Sequence, residues 1–145
     1  MKKNLEMING KEYPQKVIPL IESAKQSIKI IVFDWRFYEK NPCSIVQKFN
    51  QSIFRAIRKG VEIKAILNND YLINLLRKEG GRAKQLKTRK TVHTKMIIID
   101  DKIVILGSHN FSHCAFNVNF ELSVILNNIK EKDKFIKYFN NVWQI

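Results

Sequence analysis

The chain has 145 residues, 45% of them hydrophobic, which suits one compact domain with its own core and is too short for two of ordinary size. Its 26 Lys+Arg against 13 Asp+Glu leave a net charge of +13, an excess that points to a polyanionic partner: nucleic acid first, an anionic membrane surface second. No uninterrupted apolar run exceeds four residues, far short of the roughly 20 a membrane helix needs, and MKKNLEMINGKEYP lacks the apolar core of a signal peptide. The expectation is a soluble, cytoplasmic protein, with Cys43 and Cys114 as reduced thiols rather than a disulfide framework.

In chain order, residues 13–26 suit a helix, with an apolar stripe through Val17, Ile18, Ile21 and Ala24. Residues 28–33 read as a buried strand, β-branched and nearly all apolar. After Asn41-Pro42, Ser44 followed by Gln47 has the form of a capping box, and Ile45, Val46, Phe49, Ile53 and Ile57 carry a helical stripe to Gly60. Residues 61–67 are a second strand, and residues 71–78 a short helix closed by Gly80-Gly81. Residues 91–99 and 102–106 predict an antiparallel hairpin turning at Asp100-Asp101. Residues 120–126 predict a strand with Phe120, Leu122, Val124 and Leu126 on its core face, and residues 131–143 a closing amphipathic helix. No linker or repeat divides the chain, so residues 1–145 are expected to form one α/β domain, a mixed β-sheet flanked by helices.

The hairpin holds the most specific pattern in the chain: His93-x-Lys95, four residues, Asp100, six residues, then Gly107-Ser108-x-Asn110. Side chains alternate along a strand, so His93 and Lys95 should project together while Asp100 points elsewhere and orders the turn. With a two-residue turn at Asp100-Asp101, Ile99 pairs with Lys102 and His93 falls opposite Ser108, with Asn110 near the same edge. Such a set suits phosphoryl transfer. A neutral imidazole can attack phosphorus. Lys95, Ser108 and Asn110 can stabilise the oxygens that become more negative. A second histidine is the natural acid for the leaving alkoxide, and Glu121, opposite the Phe120/Leu122 face, is a candidate to hold the nucleophilic ring in one tautomer.

These residues resemble the signature of the phospholipase D superfamily, H-x-K-x₄-D-x₆-G-S-x-N, carried by His93, Lys95, Asp100, Gly107, Ser108 and Asn110. Phe111-Ser112, Asn119-Phe120-Glu121, Ala24-Lys25-Gln26-Ser27-Ile28 and Arg58-Lys59-Gly60-Val61 extend the likeness over almost the whole chain. The single copy of the motif resembles the small dimeric bacterial endonucleases of that superfamily. The resemblance implies an α-β-α sandwich and a homodimer with one active site across the interface. His93 of one chain would form a phosphohistidine and His93 of the other would be the acid. Lys95 and Asn110 would bind phosphate, with Ser108 supporting them and Glu121 holding the imidazole. No metal or other cofactor is implied. Phe33-Asp34-Trp35-Arg36 departs from the aromatic and hydroxyl residues often found there, so substrate preference is not carried over.

Other features are weighed beside this reading. His109, His113, Cys114 and Cys43 have one plausible zinc spacing but no second ligand pair, and zinc is not expected. Lys84, Lys87, Arg89 and Lys90 read as a groove for a nucleic-acid backbone. Trp35, Phe37 and Tyr38 could stack on splayed bases, although core or dimer contacts are the ordinary use of such residues. The expected function is metal-independent cleavage of DNA or RNA. The alternatives are a lipid phosphodiesterase acting on anionic membranes and a catalytically silent nucleic-acid-binding module.

Overall fold

A computed structural model describes residues 4–145. They form seven strands and five helices: β1 (Leu5–Asn9), α1 (Glu12–Glu22), β2 (Ser27–Ile31), α2 (Ile45–Arg58), β3 (Glu62–Ile66), α3 (Asp70–Lys78), β4 (Arg82–Lys84), β5 (Met96–Ile99), β6 (Ile103–Gly107), α4 (His113–Asn117), β7 (Leu122–Asn127) and α5 (Lys132–Trp143). The strands make one mixed sheet in the order β1-β7-β6-β5-β2-β3-β4. The pairs β2–β3 and β3–β4 are parallel, because α2 and α3 carry the chain back between them. The remaining pairs are antiparallel.

Residue parity sorts the apolar side chains into two layers. Ile28 and Ile30 of β2, Ile63 and Ala65 of β3, Ile97 and Ile99 of β5 and Ile105 of β6 pack under α1 to α4. Ile31, Ile66, Met96, Ile98 and Val104 point the other way, where α5 lays Phe139 over them. Four helices therefore cover one face and a single helix the other, the α-β-α sandwich expected. Among the described residues, no helix is long and apolar enough to cross a membrane.

Local chemistry sets the boundaries. Ser44 caps α2 through the Gln47 amide at 3.2 Å, but the Gln47 side chain does not complete the box. Its Oε1 instead accepts from the Tyr38 amide at 2.7 Å and the Asn50 amide group at 3.0 Å. Asn50 in turn accepts from Trp35 Nε1 at 2.6 Å, so this buried network fastens residues 35–38 to α2. Trp35 is consequently a core residue packed on Phe111 and Phe49, not a stacking platform for bases. Helix α1 stops at Glu22 rather than running to 26, because the amides of Lys25, Gln26 and Ser27 all donate to the Asp100 carboxylate.

Two sequence expectations about strands are corrected. The hairpin turn has three residues, not two: Ile99 pairs with Ile103, and both Asp100 and Asp101 take left-handed backbone angles. The register is thus displaced by one: Lys95, not Thr94, lies across from Gly107, and His93 is no longer opposite Ser108. In β7 the even residues do share a face, but no core covers its start, and Phe120 and Leu122 are exposed. Strands β1 and β4 and the one-turn helix α4 had no clear signature in the sequence.

Candidate active site

The site lies at the end of the sheet where β5 begins and β6 ends. His93 and Lys95 stand just before β5 and project together: Lys95 Nζ is 3.1 Å from both His93 ring nitrogens. One ammonium equidistant from both nitrogens lies over the ring face, not along either lone pair, so the nitrogens stay open to an incoming group. Phe33, the first residue of the Phe33-Asp34-Trp35-Arg36 departure noted in the sequence, completes the cluster. Its ring meets the His93 ring with centroids 5.1 Å apart, and Lys95 Nζ lies 5.7 Å above it.

Lys95 is only 9% exposed, yet among the described residues no carboxylate lies within ion-pair range of its ammonium. Burial pulls its pKa below the ordinary lysine value, while the charge of Glu121 opposes that pull. A buried ammonium without a fixed counter-ion is expensive. An anionic substrate group would supply what is missing.

Asn110 is tied to Asp34, the residue that follows Phe33. Its Oδ1 accepts from the Asp34 amide at 3.0 Å, an assignment fixed because a backbone N–H can only donate. The Nδ2 group is therefore left as a donor. Phe111 N–H donates to the Asp34 carbonyl and Arg36 N–H to the Phe111 carbonyl, so the Asn110 segment and residues 34–36 form a short ladder. Asp34, the departure noted in the sequence, binds Arg36 Nε at 2.7 Å.

Ser108 and Glu121 are arranged differently from expectation. Ser108 is not opposite His93: its hydroxyl donates to Glu121 Oε1 at 2.6 Å and accepts from the Leu122 amide at 3.0 Å. Glu121 Oε2 accepts from Asn119 at 3.1 Å. Among the described residues Glu121 therefore hydrogen-bonds to no imidazole of its own protomer. Gly107 owes its place to crowding, since a Cβ there would come within 2.2 Å of Ser123 Oγ and 2.5 Å of the Leu122 carbonyl.

Asp100 sits at the opposite end of the hairpin. Burial raises its pKa, but the amides of Gln26, Ser27 and Lys25, aided by Lys102, outweigh that, and the net shift is downward. It pins the turn to the start of β2, away from His93.

His109, the variable residue of the motif, is fully buried between Ser108 and Asn110. Its Nε2 lies 3.0 Å from the Gly10 carbonyl and must donate, so Nδ1 accepts from Ser123 Oγ at 2.8 Å. The ring stacks on Tyr13 with centroids 4.4 Å apart. Both nitrogens are engaged, which leaves none for a metal. Desolvation holds its pKa below the ordinary histidine value against the opposing influences of Gly10 and Glu121.

Of the basic residues, Lys87, Arg89 and Lys90 are exposed on the loop that leads to His93. Lys84 faces elsewhere: its ammonium donates to the Trp143 carbonyl and lies 4.4 Å from that indole centroid.

With this geometry in hand, comparison with known proteins is decisive about family. Residues 17–143 match the family model described as "Cardiolipin synthase, PLD-like domain". The chain belongs to the phospholipase D superfamily. Among curated proteins it is similar to the mitochondrial cardiolipin hydrolases of mouse, 29% identical, and Chlamydomonas reinhardtii, 30% identical. Each alignment spans 93 residues, 60% of this chain, but only 42% of the relative's own length. Among solved structures it is similar to Nuc from Salmonella typhimurium, with a TM-score of 0.82, 21% identity, and 97% and 93% of the two chains covered. NucT from Helicobacter pylori gives 0.77 at 23% identity, covering 97% and 95%. The archaeal chromatin protein TrmBL2 gives 0.66 at 19%, over 98% of this chain and 52% of that one. At these identities the structures establish the shared fold.

Proposed function

We propose that this chain is a metal-independent phosphodiesterase that cleaves DNA or RNA as a homodimer. The observation that carries the reading is Lys95: a nearly buried ammonium with no carboxylate partner among the described residues, held over the His93 ring. A phosphodiester supplies the missing negative charge and, in the same position, an electrophile for the imidazole.

A ring nitrogen of His93 attacks phosphorus, a P–N bond forms and the P–O bond to the leaving group breaks. Lys95 and Asn110 Nδ2 stabilise the phosphoryl oxygens. The leaving oxygen takes a proton from a second imidazole; that same imidazole then deprotonates a water whose oxygen attacks phosphorus, so that a new P–O bond forms, the P–N bond breaks and His93 is regenerated. One protomer offers a single His93 at this place, so the second ring is assigned to a second copy of the chain. Glu121, bound to Ser108 and Asn119 but to no ring of its own protomer, is available to hold the partner ring. The sparsely covered α5 face supports such pairing. Leu5, Met7, Phe120 and Leu122 are exposed there, beside an open apolar groove of about 650 Å³ lined by Met96, Leu106, Leu126, Phe135 and Tyr138.

Nucleic acid is favoured as substrate because exposed Lys87, Arg89 and Lys90 lead along the chain to His93, in a molecule with a large positive excess. A lipid phosphodiester is the second reading, favoured by the names of the sequence relatives and by the apolar groove beginning at Thr94. A panel of single- and double-stranded DNA and RNA and of cardiolipin-containing liposomes, all assayed in EDTA, separates the two. His93→Ala should abolish turnover, and acid-stable capture of a phosphohistidine should not be expected, so trapping is done at alkaline pH. Activity that disappears with EDTA and returns with Mg²⁺ would refute the mechanism, and a monomeric solution mass in an active enzyme would refute the shared site.

A further inference from the structure

The segment that carries the reacting pair is weakly held. Between β4 and β5 the chain has no strand partner, and residues 91–95 stand immediately before the ladder begins at Met96. Among the described residues, two hydrogen bonds tie residues 91–95 to the rest of the fold. One is from the Gly107 amide to the Lys95 carbonyl, long at 3.4 Å. The other joins Thr94 Oγ1 to Tyr138 Oη at 2.8 Å.

Thr94 lies between His93 and Lys95, and side-chain alternation turns it away from them toward α5. Leu86 and Val92 of the same segment pack into the α5-side core. The loop that presents the nucleophile is therefore seated on α5, and Tyr138 supplies its short polar contact there.

Resting on the phosphodiesterase reading above, we propose that Tyr138 is a positioning residue for the His-x-Lys pair. Its hydroxyl fixes Thr94, and Thr94 fixes the direction in which the two flanking side chains leave the backbone. Tyr138 touches no reacting atom. It acts from the reverse side of the segment, and its ring forms part of the apolar groove that a second copy of the chain would approach. The seat of α5 thus bears on the geometry of the nucleophile.

Tyr138→Phe removes one oxygen and keeps the ring, so packing and the apolar face are retained. The test uses the full chain, bis(p-nitrophenyl) phosphate as substrate, thermal unfolding and solution mass as controls, and NMR of the His93 ring. The loss of one hydrogen bond should lower kcat roughly two- to tenfold, with KM, mass and melting temperature near the parent values. Thr94→Val should lower kcat alike, the double variant should be no worse than either single one, and Thr94→Ser should restore most of the rate. The His93 ring resonances should shift or broaden in Tyr138→Phe. An unchanged kcat in Tyr138→Phe, or losses that multiply in the double variant, would overturn the proposal. If the parent protein hydrolyses no diester, the enzymatic reading falls. The NMR comparison still decides this one, and unchanged His93 resonances then reject it.

Discussion

Replacing His109 with leucine keeps a side chain of similar bulk in the core but removes both of its hydrogen bonds, leaving the Gly10 carbonyl and the Ser123 hydroxyl without their ring partner. An unsatisfied buried polar group costs about 1–3 kcal/mol, so the two together predict a loss of about 2–6 kcal/mol. Against a typical total of about 5–15 kcal/mol that is large. The pH dependence gives the sharper test. Burial depresses the folded-state pKa of His109, so the unfolded chain binds the proton more readily. Stability should be intact well above the unfolded histidine value near 6.5 and fall as the pH drops below it, at no more than about 1.4 kcal/mol per pH unit for this one group. Urea unfolding of parent and His109→Leu at several values between about pH 7.5 and 5.5 measures the difference, while His93 and His113 are present in both and cancel. The variant should be less stable throughout, and its stability should fall less steeply on acidification. Parallel pH profiles for the two proteins, or equal stability at neutral pH, would refute the assignment of His109 as a neutral, doubly bonded core residue.

Lys95→Met should abolish turnover while leaving stability unchanged or raised, because the parent buries an unpaired ammonium; millimolar inorganic phosphate should raise the melting temperature of the parent and not of the variant. Gly107→Ala should cost about 1–3 kcal/mol in chemical unfolding, because the new methyl group would meet Ser123 and the Leu122 carbonyl and part β6 from β7. Asp100→Ala should lower stability at neutral pH by about 1–3 kcal/mol, since three backbone amides lose their acceptor. The parent should lose that advantage on acidification, in a window beginning near the ordinary aspartate value of about 3.9 and extending below it, which titrations of unfolding against pH can follow.

The sandwich and the cluster at its edge were legible because they rest on periodicity and on a spaced motif. Alternation put His93 with Lys95, and the β-branched runs marked β2, β3, β5 and β6. What escaped depended on backbone details that composition does not encode. Asp100 and Asp101 both adopt positive φ and lengthen the turn by one residue, which carried Ser108 away from His93 and toward Glu121. Strand β4 is three residues with charged ends, and α4 a single turn, both too short for a period to show. Tyr138 approaches the motif from α5, and only the folded chain brings it there. Phe120 and Leu122 looked like core residues by alternation, but alternation identifies a face without saying what covers it.

The contacts that assemble the site join residues far apart in the chain: Lys25 with Asp100, 75 positions on; Asp34 with Asn110, 76 positions on; Gly10 with His109, 99 positions on. Such closures come late in folding, since a long loop must be ordered before its contact gives anything back. On a ribosome, the elements from β1 to α3 would emerge before β5 and β6, the strands that flank the His93–Lys95 cluster. The segment bearing His93 and Lys95 then waits for α5, which follows it in the chain and supplies Tyr138 as the partner of Thr94.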